Sequence, residues 1–204
     1  GADGALVMPP PPGFLSDTGL KNYYVGLAED VDLPAVLYKR GGWPGDEALI
    51  DIVQSTSAAG VKYGDTDVNA FATTVEKAGS EAAWTCGVAE RWAPFFHLAG
   101  SAGFTSGLSN FAPSLALDMD TALNATDYSK AMELRAICLP FEDIRNRDGG
   151  ANIVAAVKVA MDAHGLAGGR VRPPFRDLDE AVAAEVEEIT AAWFPVGTSG
   201  EPIE

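Results

Sequence analysis

Two stretches decide the fold: LPAVLYKR, residues 33–40, and AAGVKYGDTD, residues 58–67. Each contains a short apolar run that ends in polar side chains, the first at Tyr38 and the second at Lys62. Short apolar runs bounded by turn residues are typical of strands buried in a parallel sheet. With three similar runs, the pattern predicts strands at residues 4–8, 35–38, 59–62, 82–86 and 103–108.

Helical patterns fill the intervals between these strands. Leu49, Ile52 and Val53 recur at helical spacing, and another pattern begins after Asp67 and stops at Gly79. Aspartate is a common N-cap and glycine a common C-terminal cap, so these bounds fit helices. Alternating strands and helices predict an α/β fold with a parallel sheet and right-handed crossovers.

Strands and helices no longer alternate after Asn110, and the remaining chain is predicted to be helical. The expected helices cover residues 128–139, 152–164 and 179–193. The predicted divisions are a strand-and-helix part at 1–110, a helical part at 111–195 and a loose tail at 196–204.

A barrel of parallel strands closes with eight β-α units, whereas this sequence shows five. We therefore expect a (β/α)₈ TIM barrel of which the chain covers about strands 4 to 8, with the N-terminal third outside the sequence. The helical part would then hold the last barrel helix and a C-terminal extension.

The composition limits the partners and the location. The chain has 29 acidic and 14 basic side chains, which gives a net charge of −15. Such a charge repels nucleic acid and anionic membrane surfaces, so we expect neither as a partner. The sequence has neither an apolar run of about eighteen residues nor a basic leader, which favours a cytoplasmic protein.

Cysteine and histidine usage offers no sign of metal chemistry. Cys86 and Cys138 are the two cysteines, and their spacing fits no metal site, so we predict two free thiols. His, Asp and Glu do not cluster at metal-ligand spacing either. The sequence therefore predicts no metal and no other cofactor.

Lys62 is the candidate nucleophile because it closes a short apolar strand. Partial burial disfavours the ammonium and leaves more free amine near neutral pH, and that amine can attack a ketone to form an iminium. Tyr38 ends the preceding strand and could transfer protons to and from the bound substrate. A single strand-terminal lysine is more often a solvated surface residue, so this pattern alone leaves both interpretations open.

Several segments resemble, in order, the dihydrodipicolinate synthase and N-acetylneuraminate lyase family of class I aldolases. They are GADGALVMPPPP, LPAVLYKR, AAGVKYGDTD, GFTSGLSNFAP, LPFEDIRNR, AAVKVAMDAHGL and GRVRPPF. The resemblance implies a TIM barrel, a Schiff base on Lys62, a catalytic Tyr38, a small 2-oxo acid as substrate and a homotetramer.

Within the family, the sequence is most similar to the 5-dehydro-4-deoxyglucarate dehydratase branch. That branch has Tyr-Asn-Arg where this chain has Tyr38, Lys39 and Arg40, and it has a Pro-Phe-x-x-x-Arg-Asn-Arg stretch like the one at 140–147. The resemblance implies a decarboxylating dehydratase. The residues it implies for substrate binding are Arg40, Ser106 and Asn110.

Departures from the family pattern keep two alternatives open. Lys39 replaces the asparagine of the dehydratase branch, and Tyr63 stands where the family usually has an acidic residue. One alternative is a pyruvate-releasing aldolase or a dihydrodipicolinate synthase-like enzyme. The other is a barrel that binds an organic acid without turnover. Arg145 and Arg147 are expected to hold the C-terminal helices to the barrel rather than to bind substrate.

Overall fold

The computed structural model of the protein describes residues 1–11, 13–79 and 82–193. The chain divides into two compact units, the first at Gly1–Thr105 and the second from Ser106 onward. The predicted loose tail at 196–204 lies outside the described residues.

The first unit contains a parallel five-stranded sheet whose strands follow one another in chain order. Its strands are β1 Ala5–Val7, β2 Ala35–Arg40, β3 Gly60–Gly64, β4 Ala83–Cys86 and β5 Gly103–Phe104. Its helices are α1 Asp17–Asp30, α2 Asp46–Ser55, α3 Val68–Ala78 and α4 Ala93–Leu98. This order confirms the predicted alternation of strands and helices.

The core of the first unit lies between one face of the sheet and the helices. Leu37, Val61 and Trp84 are buried and alternate with more exposed neighbours, so each strand buries one face. Phe71 of α3 packs edge-on against Tyr63 and Trp84, at centroid distances of 5.2 and 6.2 Å. Burying an aromatic side chain of this size stabilises the fold by about 1.5 to 3 kcal/mol, so Phe71 fixes α3 on the sheet.

The predicted ends of α3 are confirmed by their hydrogen bonds. The Asp67 carboxylate accepts from the backbone N–H of Ala70 at 2.9 Å, which caps the N-terminus. Gly79 ends the helix with a φ of 51°, a left-handed conformation that glycine adopts without a steric penalty.

The second unit is helical. Its elements are a 3₁₀ turn at Leu108–Asn110 and the helices α5 Pro113–Asn124, α6 Tyr128–Gly150, α7 Ile153–Ala163 and α8 Glu180–Ala191. The predicted helices at 152–164 and 179–193 agree with α7 and α8 to within two residues at each end. The sequence pattern predicted no bounds for α5, which begins with Pro113 in the first turn.

The strand predicted at 103–108 is too long by four residues. β5 ends at Phe104, and the last bond to the sheet runs from Thr105 N–H to the carbonyl of Cys86 at 2.9 Å. Ser106 Oγ then accepts from the backbone N–H of Ser109 at 3.0 Å and closes a turn. Local hydrogen bonds of this kind compete with the strand ladder, so the strand stops before Ser106.

The helix predicted at 128–139 also has the wrong end, since α6 continues through Pro140. Helical geometry persists until Arg147, where φ and ψ become extended, and Asp148 follows at a φ of 52°. The proline removes one helical hydrogen bond, but the continued helix fully buries Phe141 and Ile144. That burial offsets the lost bond.

Candidate active site

Tyr38 and Lys62 lie side by side near the carboxyl ends of β2 and β3. Their Cα atoms are register partners, and strand alternation puts both side chains on the face opposite the buried core residues. Lys62 Nζ lies 4.5 Å from the centroid of the Tyr38 ring. The structure therefore brings together the two residues that the sequence predicted to act together.

The environment of Lys62 favours its neutral form. Partial burial lowers the pKa of the Lys62 ammonium below its ordinary value of 10.5. Over the ranges 1–11, 13–79 and 82–193, no carboxylate forms an ion pair with Lys62 that would raise the pKa again. The neutral amine is the nucleophilic form, so this position suits attack on a carbonyl.

Gly64 makes room for the Tyr38 ring. A Cβ at Gly64 would lie 2.7 Å from Cε2 of Tyr38 and 2.6 Å from the carbonyl oxygen of Lys39. Any side chain at Gly64 would therefore push the ring away from its present place. The sequence analysis missed this residue, although a glycine two positions after the predicted nucleophile was a visible signal.

Thr85 extends the row of polar side chains onto β4. It is the register partner of Lys62 on the other side from Tyr38, and its side chain is half-buried on the same face. Its hydroxyl can donate and accept hydrogen bonds beside the amine. The sequence analysis missed Thr85 because a single threonine inside an apolar run carries no signal without the strand register.

Arg40 ends β2 on the same face as Tyr38. Its backbone is fixed by a bridge to Trp43, since Arg40 N–H donates to the Trp43 carbonyl at 2.8 Å. The side chain is exposed, and among the described residues no carboxylate pairs with it. A free guanidinium can take up a carboxylate through two parallel hydrogen bonds.

Ser106 and Asn110 belong to the second unit, where both shape the turn after β5. Ser106 accepts from Ser109, as described above, and Asn110 Nδ2 donates to the carbonyl of Gly107 at 3.0 Å. Asn110 also lines a cavity of about 390 Å³ together with Arg145. Their contact with a substrate remains a prediction.

Lys39 and Tyr63, the two departures from the family pattern, lie on the helix-covered face of the sheet. Lys39 is 2% exposed, and its Nζ lies 3.0 Å from Oδ1 of Asp46 and 5.1 Å from the centroid of the Tyr63 ring. The Tyr63 hydroxyl donates to the same Asp46 oxygen at 2.9 Å. The two departures therefore contact each other and not the face that carries Lys62.

Arg145 and Arg147 make contacts inside the second unit. Arg145 is 8% exposed and pairs with Glu142 one turn earlier on α6. Arg147 pairs with Glu185 of α8 at 2.6 Å, which links two helices. These contacts are structural within the unit, and a role toward the barrel stays a prediction.

Both cysteines are free, as the sequence predicted, and the structure buries both. Burial raises the pKa of the Cys86 thiol to about 12, so this thiol stays protonated and unreactive near neutral pH. Within the described part of the chain, no three His, Cys, Asp or Glu side chains form a group that could hold a metal ion. The described helices also include none that is long and apolar enough to cross a membrane.

Comparison with known proteins gives one family match. The dihydrodipicolinate synthetase family model matches residues 1–193. A "probable 5-dehydro-4-deoxyglucarate dehydratase" of Ralstonia nicotianae is 30% identical over 94% of this chain and 63% of its own length. A 4-hydroxy-tetrahydrodipicolinate synthase of Corynebacterium aurimucosum is 31% identical over 98% of this chain and 64% of its own length. The chain thus spans just under two thirds of these relatives.

Solved structures agree with the family match. Dihydrodipicolinate synthase from Bacillus clausii matches with a TM-score of 0.88 and 33% identity, over 95% of this chain and 66% of that chain. The enzyme from Oceanobacillus iheyensis matches with the same TM-score and 31% identity, over 95% of this chain and 65% of that chain. These matches confirm the predicted α/β fold of the TIM-barrel class, of which this chain corresponds to a part.

Proposed function

This chain belongs to the dihydrodipicolinate synthetase family, and on that premise we propose that the protein is a lyase that forms a Schiff base between Lys62 and a small 2-oxo acid. The observation that carries the proposal is the Lys62 amine, which has no acidic partner among the described residues and lies over the Tyr38 ring. This arrangement supplies a nucleophile beside a proton donor and acceptor.

The first step joins Lys62 to the substrate. Neutral Nζ attacks the C2 ketone carbon, and the carbonyl electron pair moves to oxygen, which takes up a proton. The resulting carbinolamine loses its oxygen as water and becomes an iminium. Tyr38, whose ring centroid lies 4.5 Å from Nζ, is proposed to transfer these protons through its hydroxyl once substrate is bound.

The iminium then supports bond cleavage next to C2. A proton leaves C3, the iminium takes up the electron pair, and the hydroxyl at C4 departs as water. Because the iminium nitrogen stabilises the charge that develops at C3, this route uses no metal. Where decarboxylation follows, it releases carbon dioxide and leaves the product bound to Lys62 as an iminium. Water then adds to C2, and hydrolysis of the iminium releases the product as a ketone and frees the amine of Lys62.

The finer proposal is a decarboxylating dehydratase like 5-dehydro-4-deoxyglucarate dehydratase. The similarity to the Ralstonia nicotianae protein supports it. The exposed Arg40 at the end of β2 supports it as well, because a sugar diacid has a distal carboxylate for this guanidinium. Ser106 and Asn110 are proposed to bind substrate, as the family resemblance implies.

A synthase or a pyruvate-releasing aldolase is the second candidate. The Corynebacterium aurimucosum relative favours the synthase, since it is named a 4-hydroxy-tetrahydrodipicolinate synthase, and so does the Bacillus clausii structure, which is named a dihydrodipicolinate synthase. The departures at Lys39 and Tyr63 no longer favour a non-catalytic binding barrel, because both side chains lie on the face of the sheet away from Lys62.

Two further properties belong to the same proposal. The protein is proposed to be a homotetramer that binds a 2-oxo acid and neither nucleic acid nor membrane. It is proposed to work in the cytoplasm, where thiols such as Cys86 and Cys138 stay reduced. Native mass spectrometry tests the tetramer directly.

Borohydride trapping tests the proposal. The natural full-length polypeptide is incubated with pyruvate or with a 2-oxo sugar diacid, reduced, digested and examined by mass spectrometry. We expect a stable adduct on the peptide that contains Lys62. We also expect the protein to release carbon dioxide from the diacid but not from pyruvate. A folded protein without an adduct would overturn the Schiff-base proposal, whereas an adduct without carbon dioxide release would favour the second candidate.

A further inference from the structure

The Asp46 carboxylate, on the helix-covered side of the sheet, contacts two residues that each directly follow a proposed reactive residue in the chain. Lys39 follows Tyr38 on β2, and Tyr63 follows Lys62 on β3. Asp46 Oδ1 lies 3.0 Å from Lys39 Nζ and accepts a hydrogen bond from the Tyr63 hydroxyl at 2.9 Å. We call these three residues, Lys39, Asp46 and Tyr63, the Asp46 network.

Lys39 and Tyr63 make further contacts that fix the Asp46 network in place. Lys39 Nζ also donates to the carbonyl of Pro44 at 3.0 Å, and its ammonium lies over the Tyr63 ring. Tyr63 is fully buried and packs edge-on against Phe71. Asp46 opens α2, where the helix dipole stabilises a negative charge.

The network acts at the position where the strand pair ends. Lys39 and Tyr63 are register partners one step after Tyr38 and Lys62, and each strand ends one residue later. Successive side chains on a strand point to opposite faces, so a tilt of the backbone at Lys39 also turns Tyr38, and a tilt at Tyr63 also turns Lys62. Fixing the buried pair Lys39 and Tyr63 therefore also fixes Tyr38 and Lys62 on the opposite face of the sheet.

We propose that Asp46 is a positioning residue for the reaction, which sets the distance and angle between Lys62 Nζ and the Tyr38 ring by holding Lys39 and Tyr63. This inference rests on the proposed Schiff-base function. Lys39 and Tyr63, the two residues that depart from the family pattern, each supply a group that binds the same carboxylate.

The test compares Asp46→Asn with Glu47→Gln in the natural full-length polypeptide. Asparagine keeps an acceptor for Tyr63 but removes the charge that binds Lys39. Glu47 is the next residue of the same helical turn, and its carboxylate pairs with the exposed Lys77 instead of the sheet. The measured quantity is the rate of pyruvate adduct formation on Lys62 under borohydride reduction, as a function of pH.

We expect Asp46→Asn to slow adduct formation by about tenfold or more, because a small misplacement of a reacting group lowers its rate strongly. We also expect the pH of half-maximal rate to move, which a loss of stability alone would not cause in the folded protein. Glu47→Gln should match the unmodified protein in both quantities.

A second variant keeps the test decisive if Asp46→Asn does not fold. Lys39→Met combined with Asp46→Asn removes both charges, so no unpaired ion is left in the core. It should fold and still form the adduct slowly. An adduct rate and pH profile equal to those of Glu47→Gln in either variant would overturn the positioning role alone. No adduct in the unmodified protein would overturn the proposed function and this inference with it.

Discussion

Lys62 and Lys39 lie on neighbouring strands of one sheet, but their side chains meet opposite environments. Lys62 is half-buried on the open face, lies over Tyr38 and forms no ion pair with any described residue. Lys39 is almost fully buried on the helix-covered face and is bound by Asp46 and by the Pro44 carbonyl. One lysine has a lowered pKa and forms no ion pair with a described residue, and the other is bound in an ion pair.

The difference between the two lysines follows from a single step in strand register. Lys39 is paired with Tyr63, the residue directly after Lys62, and the pleat sends successive side chains to opposite faces. Lysine identity therefore says little about function. The face on which the lysine lies, and the acid within its reach, decide whether its amine forms an ion pair.

Replacing the open-face lysine should have the largest effect. Lys62→Arg keeps a positive charge over Tyr38 but removes the amine that attacks the ketone, so turnover should fall by at least about 10³-fold. The measurements are steady-state turnover and borohydride trapping. Lys77→Arg on the surface is the control, and equal losses in both variants would contradict the assignment.

Removing the hydroxyl of Tyr38 should have the next largest effect. Tyr38→Phe keeps the ring under Lys62 Nζ but removes the proton donor, so kcat should fall by about 10²-fold. Borohydride should still trap the adduct on Lys62. If neither kcat nor the single-turnover rate changed, proton transfer would belong to another group, and Thr85 is the nearest candidate by register.

Filling the space beside the Tyr38 ring should lower the stability of the fold. Gly64→Ala places a Cβ against the Lys39 carbonyl and the Tyr38 ring, and such overpacking costs about 2 to 3 kcal/mol of unfolding free energy. Urea denaturation measures the loss. Gly42→Ala is a matched control because its Cβ would meet no atom within 4 Å. Equal stability of both variants would show that Gly64 tolerates a side chain.

Replacing the buried lysine should also lower the stability of the fold, in addition to slowing adduct formation. Lys39→Met leaves Asp46 without its cation, and because that carboxylate is a third exposed, we expect a loss of about 1 to 2 kcal/mol. The loss should shrink when Asp46→Asn is added. A double-mutant cycle by urea denaturation checks this, and strictly additive losses would mean that the two charges do not interact.

The smallest expected effect concerns pH. The pKa of Lys62 is lowered in the folded protein, so between that pKa and the ordinary value of 10.5 the unfolded chain binds more protons. Folding stability contributed by Lys62 should therefore rise with pH across this interval. Comparing Lys62→Met with the unmodified protein isolates the contribution, and a difference that does not change with pH would contradict the lowered pKa.

The sequence predicts the strands well and the contacts around them less well. The apolar runs that end at Tyr38 and Lys62 suffice to pair these residues, because parallel strands bring their carboxyl ends to one edge. Thr85 was missed because its role depends on the register between strands, which no single run contains. Gly64 was missed although it follows Lys62 by two positions, because its contact with the Tyr38 ring joins two strands. The sequence pattern did not reveal the role of Asp46, since its bonds to Lys39 and Tyr63 join separate segments.

The two wrong ends have a common physical cause. Ser106 stops β5 through a local hydrogen bond, and Pro140 fails to stop α6 because burial of Phe141 outweighs one missing bond. A turn-forming hydrogen bond decided the end of β5, and tertiary packing decided the end of α6. Neither effect is visible in the pattern of apolar residues from which the ends were predicted.

The Asp46 network also restricts how this sequence can change over generations. A lone substitution at Lys39 leaves a carboxylate without its cation, and a lone substitution at Asp46 leaves a buried ammonium, so either single step passes through a weakened protein. Positions 39, 46 and 63 should therefore be inherited as a set. Among relatives, the presence of lysine at the first and tyrosine at the third should go with aspartate at the second, which makes the trio a marker for dividing the family into lineages.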